Sequence, residues 1–210
     1  MNALLLLLLD SRSPAGTHGH SGGMEAAVTA GLVRDADDVR DFCRGRLRTA
    51  GRVAAGFAAE AARLSRHAAG AAAWQDLDDE LTARTPSEAA RSASRALGRG
   101  LLRLVRASVA EFDLPIPRPH HPLVLGAAVE AAGGTPDLAA RAAALGSCTA
   151  PASAAVRLLG LDPYAVHAVL ASLSPEIDAV TGTGLPADSA PFLDLLADVH
   201  LTREVRLFAS

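Results

Sequence analysis

The chain has 210 residues, a formal net charge of −3 at pH 7 and only 3% aromatic residues. That length fits one domain burying roughly 70% of its unfolded surface, and the acidic balance, with no compensating basic tail, argues against nucleic-acid binding. All 20 basic residues are Arg, so a phosphate loop ending in Gly-Lys-Ser/Thr and Schiff-base chemistry on an amine are both excluded; a GC-rich coding bias yields such a composition.

With aromatics scarce and Ala the commonest residue, burial has to come from Leu, Val and closely approaching Ala-faced helices, and strand formers are sparse. The expected fold is therefore all-α, a single compact multi-helix bundle of about nine to ten helices over 1–210. Leu4 to Leu9 reads as a buried first helix, because it lacks a basic leader and meets Asp10 rather than a small-residue cleavage site. No apolar stretch approaches the roughly 20 residues that span a bilayer. Cys43 and Cys148 fit no metal-ligand spacing and read as reduced, buried thiols, so the expected location is cytoplasmic.

Beyond a loop carrying Pro14, Gly16 and Gly19, Glu25 to Ala30 reads as helix with Ser21 as its N-cap. Val39, Phe42, Leu47, Ala50, Val53, Phe57, Ala61 and Leu64 mark one stripe of a long helix from Asp37 to Ala69, with a kink or close helix contact expected at Gly51 and Gly56. Trp74 to Ala83 forms a short acidic helix, and Thr85-Pro86-Ser87-Glu88 starts the next, which runs to Glu111. Leu114 to His121, with three prolines, is a rigid connector. Helices follow at Pro122 to Ala132, Pro136 to Leu145, Pro151 to Leu159 and Pro163 to Leu173, with a turn at Pro175 to Val180. Ala190 to Val199 is the last helix, and the tail over 200–210 is expected to be mobile until something binds it.

Several groups of polar residues suggest chemistry and then fail its requirements. His18 and His20 form an i, i+2 pair without a third fixed ligand, so no metal site is assigned, although a small metal-dependent hydrolase using this loop is the alternative reading. Asp10, Ser11, His20 and Ser21 contain the residue types of a nucleophilic triad, yet no G-x-S-x-G elbow surrounds either serine. His120-His121 is read as exposed, and Asp76 to Glu80 as a solvated acidic face. Arg91, Arg95, Arg99, Arg103 and Arg106 fall within an arc of roughly 120°, read either as a face satisfied by acidic neighbours or as a docking surface. No catalytic residue is assigned.

Two motifs at opposite ends carry a resemblance. Asp10, Ser11, Pro14 and Gly16, followed by His20, Ser21, Gly23, Met24 and Glu25, match D-S-x-x-P-x-G and H-S-x-G-[LM]-E near the N-terminus; His200 with Arg206, Leu207, Phe208, Ala209 and Ser210 matches a C-terminal pattern. In these features, and in length, the chain resembles the urease accessory protein UreF family. The resemblance implies an all-α, non-catalytic maturation factor that joins a UreD/UreH-type protein and the GTPase UreG. Nickel would then be delivered to apo-urease and the GTPase step regulated.

It further implies no cofactor of the chain's own, nickel being handled by the assembled complex, and it leaves a homodimer open. By position, His20, Ser21, Gly23, Met24 and Glu25 would shape an N-terminal element near the partner surface. Arg206, Leu207 and Phe208 would form a tail ordered by the UreD/UreH-type partner, with Arg206 coupling to the GTPase complex.

Overall fold

The structure, a computed structural model, describes residues 2–10, 19–201 and 207–208. Among these residues it is all helical, with no strand. The order is α1 (Ala3–Leu9), α2 (Met24–Thr29), α3 (Ala36–Arg46), a π turn (Leu47–Gly51), α4 (Arg52–Arg66), α5 (Ala71–Ala83), α6 (Glu88–Ser108), α7 (His121–Ala131), α8 (Pro136–Leu159), α9 (Pro163–Ser172), α10 (Ser174–Asp178) and α11 (Pro191–Leu201).

Caps explain several of these boundaries. Asp35, Ser87, Thr135 and Asp162 each accept a backbone N–H from the first turn of the helix that follows, which satisfies donors the helix itself leaves open. The long helix expected over Asp37 to Ala69 forms as α3 and α4 joined through the π turn, so the helical register slips by one residue where a kink was expected. Leu47 and Gly51 at its two ends are buried.

α4 is the central rod, packed against α7 and α8. Ala55, Ala58, Ala59, Ala61 and Ala62 are all fully buried along it, with Phe57 the one large side chain at 0% exposure. Backbones approach closely here. A methyl group on Gly126 of α7 would collide with the Ala58 carbonyl and lie 2.8 Å from the Ala61 Cβ, and one on Gly51 would lie 2.6 Å from the Ser147 hydroxyl of α8. Such contacts recover dispersion energy that small side chains cannot supply across a wider gap.

α8 differs from expectation. Pro136 to Leu159 is one helix of 24 residues with Pro151 inside it, where two separate helices are predicted from sequence. A proline there removes the N–H that would bond to the carbonyl four residues earlier, at Ser147. Arg46 of α3 fills the gap, its Nε donating to the Ser147 carbonyl at 3.0 Å. α8 is consequently long and apolar enough to cross a bilayer by length and composition, which corrects the expectation that no such stretch exists. Ala139, Ala140, Ala144, Cys148, Ala152, Ala154 and Ala155 on it are completely buried, and the helix packs against α2, α3, α4 and α7.

The proline-rich connector is held by a buried polar network rather than left at the surface. His120 is fully buried; its Nδ1 meets Ser94 Oγ at 3.0 Å and its Nε2 meets Thr82 Oγ1 at 3.1 Å, while its backbone N–H donates to Asp78 at 3.2 Å. Asp78, itself 4% exposed, takes both Arg95 Nη2 at 2.8 Å and Nη1 at 3.3 Å, and Arg95 also donates to the Arg118 carbonyl. The expectations of an exposed His120 and a wholly solvated acidic run are therefore corrected. Asp76, Asp79 and Glu80 do face solvent. Gly98 on α6 makes room for the connector, since a methyl group there would strike the Pro119 carbonyl.

Burial pulls the His120 imidazole down to about 4, with Arg95 acting in the same direction and Asp78 against it. The unfolded chain, with His near 6.5, binds more protons between these values, so stability is full above about pH 6.5 and falls as the pH drops towards 4. The expected loss from His120 is roughly 3 kcal/mol, read from urea midpoints across that range; a midpoint unchanged from pH 6.5 to 4 would refute it. Separately, Gly126→Ala should destabilise by ~1–3 kcal/mol through overpacking. Gly146→Ala, where a methyl group meets nothing within 4 Å, should stabilise α8 by up to ~1 kcal/mol.

Candidate partner-docking site

The N-terminal motif forms the start of α2. Gly22 and Gly23 adopt φ of +59° and +90°, left-handed values that a side chain disfavours, and this turn swings the chain into the helix. Gly23, rather than the expected Ser21, holds the N-cap position. Ser21 nevertheless acts on the helix start: it is fully buried, and its Oγ accepts the Glu25 N–H at 3.3 Å. Met24 is likewise fully buried. Arg46 Nη1 donates to the Gly22 carbonyl at 2.9 Å, so the guanidinium that completes α8 also fixes the turn into α2.

Glu25 points at the other end of the chain. Its two carboxylate oxygens accept consecutive backbone N–H groups, Leu207 at 2.8 Å and Phe208 at 3.0 Å. Charge-assisted bonds of this kind are about twice as strong as neutral ones. Glu25 is 6% exposed and Phe208 4%, and the Arg157 guanidinium of α8 lies 4.3 Å from the Phe208 ring centre, within cation–π range. Leu207, by contrast, is 75% exposed.

α11 precedes this segment and packs on α6 and α2. Leu196 is buried on its inner face, while Phe192, Leu195 and Val199 are exposed on the outer one. Ser87, at the start of α6, donates its hydroxyl to Asp198 at 2.6 Å. The Asp194 carboxyl is raised by burial, an effect that Asp198 reinforces and a Ser87 backbone hydrogen bond opposes. Two carboxylates of α11 thus face the positive end of α6, where a helix favours negative charge. The arrangement contains no nucleophile paired with a base. It offers apolar side chains to solvent on an arm held by polar anchors, which is what a protein-binding surface requires.

The UreF family profile matches residues 33–174. Urease accessory protein UreF of Mycolicibacterium vanbaalenii is 47% identical over 213 residues, covering 99% of this chain and 98% of that protein. The proteins of the same name from Mycobacterium marinum and Mycobacterium tuberculosis are 43% and 41% identical over the same span and coverage.

The chain belongs to the UreF family. Its relatives are accessory proteins rather than enzymes by name, and the hydrolase alternative at the His18 and His20 loop is set aside accordingly. The profile stops short of both terminal motifs, whereas the relatives align over nearly the whole chain.

Of the residues singled out from sequence, His20, Ser21, Gly23, Met24 and Glu25 cluster at the start of α2, and Leu207 and Phe208 join them through Glu25. Arg206 and His18 lie outside the described residues. His20 is half-buried, and burial lowers its imidazole pKa. The same effect, with His20 nearby, takes His121 down to about 4. Among the described residues no group of three or more His, Cys, Asp or Glu could hold a metal ion.

The Arg stripe is divided. Arg95 and Arg106 pair with Asp78 and Asp113, Arg91 donates to the Thr85 and Pro86 carbonyls, and Arg99 and Arg103 face solvent. Sequence reasoning missed Arg46, Arg157 and the outer face of α11. Only the last left a signal, because Phe192, Leu195 and Val199 form a second apolar stripe on a helix whose Leu193 and Leu196 already face inward.

Arg46 provides a test of this architecture. A lysine ammonium concentrates its donors at one point and cannot span both the Ser147 and Gly22 carbonyls as the guanidinium fork does. Arg46→Lys should cost ~1–3 kcal/mol. Pro151→Ala restores a backbone N–H for Ser147, so the Arg46→Lys penalty should shrink in the Pro151→Ala background. Urea denaturation of the four proteins measures the coupling, and strictly additive effects would contradict the assignment.

Proposed function

We propose that this protein is a non-catalytic scaffold in urease maturation. It joins a UreD/UreH-type accessory protein and a UreG-type GTPase, so that nickel passes as cargo to apo-urease and the GTPase step is regulated. The observation that carries this reading is the C-terminal arm, anchored by carboxylates at Ser87 and Glu25 and presenting Phe192, Leu195, Val199 and Leu207 to solvent. Membership of the UreF family supplies the pathway.

On this reading the chain works in the cytoplasm and forms one domain with no cofactor of its own. The UreD/UreH-type protein covers the arm, Arg206 contributes to coupling with the GTPase, and a homodimer is compatible with the arrangement. Nickel uptake by the chain itself is not required.

The test is co-purification from cells that express the chain with a UreD/UreH-type protein. The wild-type chain should capture that partner and show no GTPase or hydrolase activity alone. Phe192→Asp combined with Leu195→Asp should weaken capture by about 30-fold or more, the scale of an interface hot spot. Both side chains are solvent-exposed, so the melting temperature should hold. A well-folded wild-type chain that captures no such partner would overturn the proposal.

A further inference from the structure

Cys43 on α3 and Cys148 on α8 stand 105 positions apart in sequence and meet in the core. Both are fully buried. Each sulfur lies 3.6 Å from the main-chain carbonyl oxygen of the other residue, so the two side chains point towards each other, as a disulfide requires. Their surroundings are polar as well as apolar. Ser147 brings its hydroxyl to 3.7 Å from the Cys148 sulfur, and Arg46, whose Nε holds the Ser147 carbonyl, sets a positive charge beside both thiols. A hydrogen bond from Cys43, helped by Ser147 and Arg46, takes the Cys148 thiol down to about 7 against burial and the Glu176 charge. The same contact, with burial, raises Cys43. One sulfur therefore carries thiolate near neutral pH while its neighbour keeps its proton, which is the division of labour between an attacking and a resolving cysteine.

We propose that Cys43 and Cys148 form a reversible disulfide site, closed by a peroxide and reopened by a dithiol reductant. The Cys148 thiolate attacks one peroxide oxygen and the O–O bond breaks, leaving a sulfenic acid and a hydroxide that takes up the proton Cys148 released. The Cys43 sulfur then attacks the Cys148 sulfur; its thiol proton leaves with the displaced hydroxyl as a second water, and the S–S bond forms. Each sulfur gives up one electron and the peroxide takes both. A dithiol reverses the change by exchange and ends as its own disulfide. The site belongs to the chain by itself and stands apart from the scaffold reading.

Two irregularities beside the pair give a small oxidant its way in. Pro151 removes the N–H that would close α8 on the carbonyl of Ser147, the residue before Cys148, and the π turn begins at Leu47, one helical turn beyond Cys43. Local opening costs least where the helical ladder is interrupted, so the thiols meet peroxide without global unfolding. Once closed, the bond spans 105 positions, and the constraint on the unfolded chain grows with the loop it closes. Oxidation should therefore stabilise the bundle.

The test treats the full-length chain with hydrogen peroxide under native conditions, then counts free thiols after unfolding and maps the peptides by mass. Wild type should lose both thiols as a monomer, fall in mass by two hydrogens and yield one Cys43–Cys148 cross-linked peptide. Its melting temperature should rise by about 5 °C or more, and dithiothreitol should restore both thiols. Cys43→Ala should leave Cys148 as a sulfenic acid that dimedone captures, whereas Cys148→Ala should slow oxidation of the remaining thiol at least about tenfold. Both thiols still titrating in peroxide-treated wild type would overturn the proposal, as would cross-links formed only between copies. Cys148 running on to sulfinic acid with Cys43 left free would refute it too, and so would a cross-link that forms only in urea, since native packing would then hold the sulfurs apart.

Discussion

One guanidinium sets the geometry on which the candidate site depends. Arg46 gives its Nε to the Ser147 carbonyl, which Pro151 leaves without a helical partner, and its Nη1 to the Gly22 carbonyl. The first bond lets α8 run unbroken past its internal proline. Arg157 lies six residues beyond Pro151, about 9 Å along the axis, and reaches Phe208 only because the helix continues. The second bond fixes the left-handed turn that opens α2, and with it the start of the helix that carries Glu25. Both arms of the C-terminal contact therefore trace back to a single side chain whose pKa is lowered by burial.

Around that contact the bundle is held by proximity rather than by large side chains. A buried Ala removes little apolar surface compared with a Leu or Phe, so a core rich in Ala gains mainly by bringing backbones together. Gly126 against α4 and Gly51 against α8 mark where this happens, and Gly56 does the same for the loop before α11, where a methyl group would lie 2.4 Å or more from Pro186 and Gly184 atoms. Tight approach leaves little room for adjustment. Cys43 and Cys148 show the same economy: both are fully buried, and each thiol meets the other residue's carbonyl at 3.6 Å. They are free thiols that tie α3 to α8.

Much of the fold is legible in local sequence, since capping residues act over three or four positions. Ser87, Thr135 and Asp162 announce their helices, and the structure places the starts beside them. What is illegible depends on partners distant in the chain. Pro151 reads as a helix start until the donor to the Ser147 carbonyl is known, and that donor, Arg46, stands 101 positions away. His120 reads as a surface residue because nothing nearby in sequence reveals Ser94, Thr82 and Asp78 closing round it. The candidate site follows the same rule. Its N-terminal residues form a readable turn, but that Glu25 receives Leu207 and Phe208 could not be inferred across a separation of 182.

The all-Arg composition has a structural use in this chain. Many of these guanidiniums bind main-chain carbonyls of loops rather than carboxylates alone. Arg63 donates to Gly182 at 2.6 Å, Arg66 to Gly134 at 3.1 Å, and Arg91 to Thr85 and Pro86 at 2.7 and 2.6 Å. Arg66 does so while its other contacts hold Glu130. A planar group with several donors in fixed directions can serve a carbonyl and a carboxylate together, which a lysine ammonium does less well. In a core built from small residues, where loops cannot be pinned by bulky side chains, this reach lets the helices hold the connecting segments. Arg46 is the strongest instance, because the carbonyls it serves belong to a helix and to the turn that opens α2.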